Sequence, residues 1–210
     1  MSGHGHSHGG HCCEHESNEQ PSDLGVAYSL YTKIDTENVQ CLNEVTEGSG
    51  KLVFKPWEKR LDIDKFVESD CDEELLFNIP FTGIVKLKGI IVVGGEDTTH
   101  PSKMKLFKNR PNINFDDVNV EADEEFEMQP DLTGTLEYPV KVVKFPNVHH
   151  LTIYFPKNFG AESTKVYYIG LKGEFTKPPR SEITICTYEA SANPCDHKTK
   201  AFNPVPHEIR

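Results

Sequence analysis

Residues 149–155 have the sequence His-His-Leu-Thr-Ile-Tyr-Phe, whose last five side chains change character from one position to the next. Because successive side chains of an extended strand point to opposite faces, Leu151, Ile153 and Phe155 share one face, and Thr152 and Tyr154 share the other. A strand with an apolar face has to bury that face against a second layer. The stretch therefore predicts one β-strand of a layered all-β domain.

Short segments rich in Val, Ile, Phe and Tyr recur through the middle of the chain. Besides 149–155, they are residues 75–81, 84–93, 103–108, 140–145, 166–175 and 183–188. Clusters of turn-forming residues separate them, as at 82–83 and 94–97. No long window has a helical period, although residues 36–42 would suit a turn of helix. We predict an all-β fold, either a β-sandwich or a barrel, with a jelly roll as the favoured version.

Composition changes at both ends of the chain. Residues 1–23 are rich in Gly, His, Ser and acidic residues and contain neither Lys nor Arg, and residues 190–210 are polar and interrupted by prolines. Such segments bury too little apolar surface to offset the conformational entropy lost on ordering. We therefore expect a disordered tail at 1–19, one folded domain at 20–192 and a flexible tail at 193–210.

The charge balance excludes some classes of partner. The 210 residues include 22 Lys and Arg against 33 Asp and Glu, which gives a formal net charge of −11. Direct binding of nucleic acid or of an anionic membrane needs clustered basic residues, so neither is expected. The N-terminus lacks an apolar secretory core, and the longest central apolar run, residues 90–93, is too short to cross a bilayer. We expect a monomer in the cytoplasm and nucleus, with all six cysteines reduced.

Metal-binding side chains are concentrated near the N-terminus. They are His4, His6, His8, His11, Cys12, Cys13 and His15. Imidazole and thiolate bind Zn, Ni and Cu, and the glycine spacers would let a flexible chain wrap around one ion. The alternative is a low-complexity tail that binds metal only where metal is abundant. Neither hypothesis makes a cofactor necessary, and nothing rigid in this segment would hold an open coordination position for catalysis.

Catalytic motifs are not evident in the rest of the chain. The six cysteines form no C-x-x-C pair, which argues against dithiol redox chemistry. Residues 48–51, Gly-Ser-Gly-Lys, resemble a phosphate-binding loop, but the first glycine of that motif is missing and Leu52 stands where a hydroxyl would hold magnesium. His149 and His150 are adjacent in a strand and therefore cannot share one ion. We predict that the protein is not an enzyme.

Two acidic runs cover residues 62–74 and 115–131. Neither has the residue spacing of a calcium-binding loop. We therefore expect solvated acidic faces, which would set the rate and selectivity of association with a basic partner surface if they are used functionally.

Several motifs resemble those of the PITH domain, named for the proteasome-interacting C-terminal half of a thioredoxin-like protein. They are residues 68–76 (Glu-Ser-Asp-Cys-Asp-Glu-Glu-Leu-Leu), 79–81 (Ile-Pro-Phe), 85–90 (Val-Lys-Leu-Lys-Gly-Ile), 105–109 (Lys-Leu-Phe-Lys-Asn), 143–148 (Val-Lys-Phe-Pro-Asn-Val) and 167–171 (Tyr-Tyr-Ile-Gly-Leu). Stand-alone members of the family are more similar still. They share the His-Gly-His-Ser-His stretch at 4–8 and the stretches 41–44, 53–58 and 188–194. The resemblance covers essentially the whole chain.

This resemblance implies a β-sandwich jelly roll of the galactose-binding-like type, located in the cytoplasm and nucleus. It also implies a non-catalytic interaction module or adaptor that docks to proteasome subunits. Stand-alone vertebrate members are linked to promoting transcription and cell differentiation, so a positive regulator of gene expression acting through protein partners is a second hypothesis. A jelly roll that binds a small ligand or a carbohydrate is the third, and it rests on fold analogy alone.

The C-terminal tail supplies one candidate contact residue. His207 lies between Pro206 and Glu208, in a segment that carries basic residues from position 198 onward. A proline-containing tail is already partly extended, so laying it into a groove costs less conformational entropy. We predict His207 as a contact to a polar or metal-bearing site on the partner. The alternative is a frayed terminus without a role.

Overall fold

The structure is a computed structural model that describes residues 28–177. The eight strands are β1 (Gln40–Leu42), β2 (Val67–Glu68), β3 (Leu75–Gly94), β4 (Lys103–Lys108), β5 (Glu124–Glu127), β6 (Glu137–Pro139), β7 (Val148–Phe155) and β8 (Lys165–Thr176). Short 3₁₀ turns occupy Tyr31–Lys33, Thr36–Asn38, Ser49–Val53, Trp57–Lys59, Asp97–Thr99 and Asp117–Asn119. Within the described residues there is no α-helix, which confirms the predicted all-β class.

The long strand β3 belongs to two layers of antiparallel strands. Its first part, up to Pro80, lies between β1 and β7, and the layer continues from β7 to β4 and β5. Its second part, from Ile84, lies between β6 and β8, and β8 pairs with β2. One layer therefore has the order β1-β3-β7-β4-β5, and the other has the order β6-β3-β8-β2. The register of β3 against β7 is irregular between Pro80 and Val85, where the strand passes from one layer to the other.

The main core lies between these two layers. Phe77, Phe145 and Phe155 are fully buried in it. The ring of Phe77 packs edge-on against Phe54 and Phe155, with centroid distances of 6.2 and 6.0 Å, the geometry that aromatic pairs prefer. The core therefore draws on both strands and connections, since Phe54 and Phe145 lie between strands.

A bulge in β3 keeps its apolar side chains directed at this core. The register against β8 shifts between Leu87 and Gly89, so one extra residue of β3 is inserted there. Before the shift, Val85 and Leu87 are core residues, and after it Ile90 and Val92 are. Strict alternation would have placed Ile90 and Val92 on the opposite face.

The outer face of the first layer is also covered, by the connection between β4 and β5. Leu76 and Tyr154 pack with Ile113 of that connection. The buried Asn78 amide donates to the Ile113 carbonyl oxygen at 3.0 Å, and its side-chain oxygen accepts from the Thr152 hydroxyl at 2.9 Å. Burial on both faces explains why the start of β3 is almost continuously apolar.

Three predicted strands are confirmed with ends within one residue, namely 103–108, 149–155 and 166–175. The strand predicted at 140–145 is wrong. Val140 and Phe145 are buried, but the residues between them form a turn in which Lys144 donates its amide to the Lys141 carbonyl at 2.8 Å. The segment is rich in Val and Phe like a strand, but its two buried residues flank a turn and do not alternate with exposed ones.

Two further predictions need correction. The break expected at 82–83 is absent, because β3 continues through it and only changes its pairing partners. The turn of helix expected at 36–42 is a 3₁₀ turn at Thr36–Asn38 followed by β1. The strand predicted at 183–188 and both predicted tails lie outside the described residues.

The acidic run 115–131 is not wholly a solvated face. Glu124 is buried and accepts from the Lys141 amide at 3.0 Å. Asp131 is also buried, where it accepts from the amides of Gly134 and Leu136 and from both the amide and the hydroxyl of Thr133. Burial alone would raise the pKa of Asp131, but these four hydrogen bonds stabilise the carboxylate and hold the pKa below its usual value.

Candidate functional site

The connection between β1 and β2, residues 43–66, exposes an unusual amount of apolar surface. Of the eleven large apolar side chains exposed within residues 28–177, five lie in this one connection. They are Val45, Leu52, Leu61, Ile63 and Phe66. Val45 is 58% exposed and Ile63 is 65% exposed, so neither is covered by the described part of the chain. Apolar side chains clustered in water mark an interaction site more often than scattered ones do.

Glu44 fixes the start of this connection. Its carboxylate accepts hydrogen bonds from the amides of Gly48 and Gly50, at 2.5 and 2.6 Å, and from the Ser49 hydroxyl at 3.2 Å. Gly48 has a φ of +81°, a conformation that favours glycine. Gly50 lies against Cys41, where an added Cβ would come within 2.3 Å of the Cys41 Cβ atom. Both glycines are therefore required by local geometry.

These contacts explain the resemblance of residues 48–51 to a phosphate loop. The amides of Gly48 and Gly50 do point towards an anion, as amides do in phosphate-binding loops, whereas the Ser49 amide donates to the Thr46 carbonyl oxygen. The anion is the carboxylate of Glu44, which takes the Gly48 and Gly50 amides for itself. The loop therefore holds a side chain of its own chain in place of a nucleotide phosphate.

A lysine-rich hollow of about 350 Å³ lies beside the 3₁₀ turn Ser49–Val53. Four lysines and two acidic residues line it, together with Tyr31, Phe54 and neighbouring residues. The lysines are Lys51, Lys55, Lys59 and Lys65, and the acids are Glu37 and Asp62. This excess of positive charge stands out in a chain whose net charge is −11.

Two of these lysines are held by backbone carbonyl groups. The ammonium of Lys55 is buried and donates to the carbonyl oxygens of Asp62 and Lys65, at 2.6 and 2.7 Å. Burial lowers the pKa of Lys55, and the charge of Asp62 opposes that shift. Lys51 donates to the Glu37 carbonyl oxygen at 2.6 Å. Because Lys55 joins the two ends of segment 55–65, it fixes the shape of the hollow.

In the part of the chain that the structure describes, no ion pair neutralises the positive charges of the hollow. Seven lysine–carboxylate ion pairs occur within residues 28–177, and none involves Lys51, Lys59 or Lys65. Lys59 and Lys65 are exposed. Their ammonium groups are therefore free to meet a carboxylate brought by a partner.

A second, more apolar hollow of about 270 Å³ adjoins the first and shares Leu52 and Lys65 with it. Its other sides are lined by Val45 and Phe66 and by four polar residues, namely Thr46, Ser49, Asp64 and Glu68. The Phe66 ring packs edge-on against Tyr167 at a centroid distance of 5.9 Å, and the Lys165 ammonium lies 4.8 Å from its centroid. We call the six residues Val45, Lys51, Leu52, Lys59, Lys65 and Phe66, which line the two hollows, the connection surface.

The site residues predicted from the sequence are outside the part of the chain that the structure describes. The proposed metal ligands at positions 4–15 and the contact residue His207 are outside the described residues, and so are four of the six cysteines. The remaining two, Cys41 and Cys71, are free thiols. In β7, His149 is exposed and His150 is half-buried, so they face different environments.

Between residues 28 and 177, no group of three or more His, Cys, Asp or Glu side chains is arranged to hold a metal ion. No helix in the same part of the chain is long and apolar enough to cross a membrane. The connection surface was not predicted from the sequence, because its residues are spread over 45–66 and follow no periodic pattern. The one signal was the local density of lysines in residues 51–65 of an acidic chain.

Comparison with solved structures defines the class of fold. The paired CBM32-1 and CBM32-2 domains of Clostridium perfringens ZmpB, solved in complex with GalNAc, match 75% of this chain and 39% of theirs, with a TM-score of 0.51 and 11% identity. CpGH89 of the same organism matches 72% of this chain and 15% of its own, with a TM-score of 0.51 and 16% identity. The protein is thus a β-sandwich of the galactose-binding-like type, as predicted.

Sequence comparison then gives the family. The family model of the PITH domain matches residues 20–192, so the chain belongs to the PITH domain family. PITH domain-containing protein 1 of Homo sapiens is 59% identical over 208 residues, which cover 98% of this chain and 99% of the human one. The protein of the same name in Dictyostelium discoideum is 43% identical over 200 residues, which cover 95% of this chain and 98% of its own.

Proposed function

We propose that this protein is a non-catalytic adaptor that associates with the proteasome through its PITH domain. Membership of the family supports an interaction role. The observation that carries the proposal is the connection surface, where exposed apolar side chains adjoin lysines that form no ion pair within residues 28–177. Such a patch is best satisfied by a protein partner that covers the apolar groups and supplies opposite charge.

A pull-down with the tagged full chain tests this proposal. We expect subunits of the proteasome to be enriched over a tag-only control, and purified proteasome to be retained as well. The double variant Val45→Ser/Leu52→Ser should reduce retention at least fivefold, because it removes two exposed apolar side chains that a partner would cover, Val45 being 58% and Leu52 44% exposed. Val143→Ser is the matched control, since Val143 is 92% exposed but lies in the turn that precedes β7.

If the wild-type chain retains no proteasome subunit, the adaptor proposal is wrong. The carbohydrate-binding hypothesis would then be tested by incubating the same tagged chain with immobilised glycans that contain galactose or GalNAc.

The C-terminal tail has a place in the same proposal, with His207 as a contact to a polar or metal-bearing site on the proteasome. Deleting residues 197–210 tests it, with circular dichroism to check that the domain stays folded. Retention should fall after the deletion. Unchanged retention would assign docking to the folded domain alone.

Effects on gene expression follow, in this proposal, from protein partners in the cytoplasm and nucleus. The net charge of −11 opposes direct binding to DNA, which needs clustered basic residues. The double variant Val45→Ser/Leu52→Ser tests whether changes in transcript abundance depend on proteasome docking. If they do, the variant should lose both the transcript changes and the proteasome retention.

A further inference from the structure

We propose that the connection surface binds an acidic peptide segment that carries an apolar side chain. This inference deepens the proposed function, on which it rests for the assumption that this surface is where a partner docks. It names the chemistry of the partner, namely carboxylates for the lysine-rich hollow and one apolar side chain for the adjoining hollow.

The charge of the lysine-rich hollow favours an acidic partner. Lys51, Lys59 and Lys65 line one hollow, and none of them forms an ion pair with another residue of segment 28–177. Lys55 adds a fourth positive charge, and two of its three N–H donors are bonded to carbonyl groups. Partner carboxylates would therefore be attracted by all four lysines and would bond to the three whose ammonium groups are accessible.

The adjoining apolar hollow favours a partner that carries an apolar side chain. Val45, Leu52 and Phe66 line it, and all three are exposed to water. Two carboxylates also line it, but Glu68 is paired with Lys165 at 3.2 Å, which leaves Asp64 as the one acid of this hollow without an ion pair within residues 28–177. Its volume of about 270 Å³ suits one large side chain, such as that of Phe or Leu, together with part of a peptide backbone. Because Leu52 and Lys65 line both hollows, an apolar side chain and a neighbouring carboxylate of one short peptide would reach them together.

The loops that form the connection surface are held in place by hydrogen bonds. Glu44 holds the turn at residues 48–50 through three hydrogen bonds, and Lys55 ties residues 62 and 65 to residue 55. A surface that is already fixed loses little conformational entropy when a peptide binds to it.

A second copy of this chain is disfavoured as the occupant. Two copies would each carry a net charge of −11, and like charges oppose association over the whole surface. An acidic peptide is attracted by the local cluster of lysines without requiring the rest of two acidic domains to approach each other.

The binding test uses the full chain and three fluorescein-labelled hexapeptides. The probe has the sequence Asp-Glu-Glu-Phe-Glu-Asp, one control has Ala in place of Phe, and the other has Lys in place of every acid. Fluorescence anisotropy should show saturable binding of the probe and at least fivefold weaker binding of the Ala peptide. The Lys peptide should not bind. Raising NaCl from 50 to 300 mM should weaken probe binding at least fivefold, because salt screens charge pairs.

Charge-reversal variants test where on the protein the probe peptide binds. Lys59→Glu/Lys65→Glu should weaken probe binding at least tenfold. Lys141→Glu is the matched control and should change it less than twofold, because Lys141 is exposed and bonds through its amide to Glu124 of β5, at the opposite edge of the layer from β1. Leu52→Ser should weaken binding of the Phe peptide but not of the Ala peptide.

Several results would overturn the inference. Equal binding of the acidic and basic peptides would remove the role of charge, and an unaffected Lys59→Glu/Lys65→Glu variant would place any binding elsewhere. Self-association in sedimentation that this variant abolishes would make a second copy the occupant. Cross-links from Lys59 or Lys65 to residues 178–210 of the same chain, together with absent peptide binding, would make the chain its own occupant.

The inference and the proposed function fail in different experiments. If the peptide binds as expected but the wild-type chain retains no proteasome, the adaptor proposal fails and the binding chemistry stands. If proteasome retention survives Lys59→Glu/Lys65→Glu while peptide binding is lost, the connection surface is not the proteasome contact, and the deepened inference fails.

Discussion

At Glu44 a single carboxylate organises the loop that carries part of the connection surface. Three donors converge on it from Gly48, Ser49 and Gly50, and two of them are backbone amides that the surrounding 3₁₀ turn leaves without other partners. From the sequence alone, residues 48–51 only resemble a phosphate loop. Both glycines could be noticed from the sequence, but the partner of their amides could not, because Glu44 precedes the motif.

Replacing Glu44 with Ala is expected to lower the free energy of unfolding by about 2 kcal/mol, since hydrogen bonds to a charged group are lost and the Gly48 and Gly50 amides are left without an acceptor. Urea unfolding followed by circular dichroism measures the change. Glu47→Ala is a suitable control, because Glu47 is exposed in the same loop. A midpoint unchanged by Glu44→Ala would show that the carboxylate does not hold the loop.

The burial of His100 leads us to expect that the stability of the domain depends on pH. Its ring is fully buried, with Nδ1 2.7 Å from the Pro101 carbonyl oxygen and Nε2 without a hydrogen-bond partner. Burial lowers the pKa of His100 below its usual value of 6.5, although the Pro101 carbonyl and Asp131 oppose the shift. The unfolded chain therefore takes up a proton at about pH 6.5 that the folded chain does not, so stability falls as pH decreases from 6.5 towards the lowered pKa.

Urea unfolding at pH 7.5 and 5.5 tests this expectation. Through His100 the wild type should lose at most about 1.4 kcal/mol of stability between these values, because pH 5.5 lies one unit below the usual pKa of 6.5. His100→Phe should lose less, whatever its absolute stability, because the variant has no imidazole to protonate. An equal loss in both proteins would assign the pH dependence to other groups, of which His150 is the next to test, since burial also lowers its pKa.

Among the elements, β8 and β3 come close together at Gly173. A Cβ atom there would come within 2.3 Å of the Lys86 carbonyl oxygen and 3.1 Å of the Leu30 side chain. Gly173 pairs with Leu87, next to the bulge of β3. The close approach therefore lies where the strand departs from regular pairing.

Gly173→Ala is accordingly expected to destabilise the domain by about 1–3 kcal/mol, because a backbone atom must move to accommodate the methyl group. Thr176→Ala, at the exposed end of the same strand, should change stability by less than about 0.5 kcal/mol. Thermal unfolding of the three proteins measures both effects. Equal midpoints for Gly173→Ala and wild type would mean that the close approach relaxes without cost.

How well an element could be predicted depended on its length and its setting. β4, β7 and β8 were found because each is long enough to show apolar residues on one face. β1, β2 and β6 are two or three residues long, too short for any period to be visible. β5 lies in an acidic run, and its Glu124 is buried through hydrogen bonding, which composition does not reveal. The connection surface was missed because it is built by loop packing.

At the scale of the whole molecule, the chain combines an acidic balance with a His- and Cys-rich stretch at residues 4–15. We expect the tail to bind Zn, Ni or Cu independently of the folded domain. Calorimetry with Zn²⁺ should show saturable binding at pH 7.5 by a peptide of residues 1–19. Binding should weaken at pH 5.5, because imidazoles and thiols must lose protons to coordinate. No saturable binding at pH 7.5 would end the metal hypothesis.

Deletion of the tail also tests whether it is independent of the folded domain. Removing residues 1–19 from the full chain should abolish this binding and leave the melting temperature of the metal-free domain unchanged. A melting temperature that falls after the deletion would show that the tail contributes to the stability of the domain.

The sharing of β3 between both layers has a consequence for how the molecule comes apart. A sandwich whose layers have separate strands can lose one layer while the other persists, but here each layer contains part of the same continuous backbone. Opening either layer exposes β3 and therefore weakens the other. The domain should unfold as one cooperative unit, and the amide hydrogens along the whole of β3 should exchange with solvent at a single slow rate set by global opening.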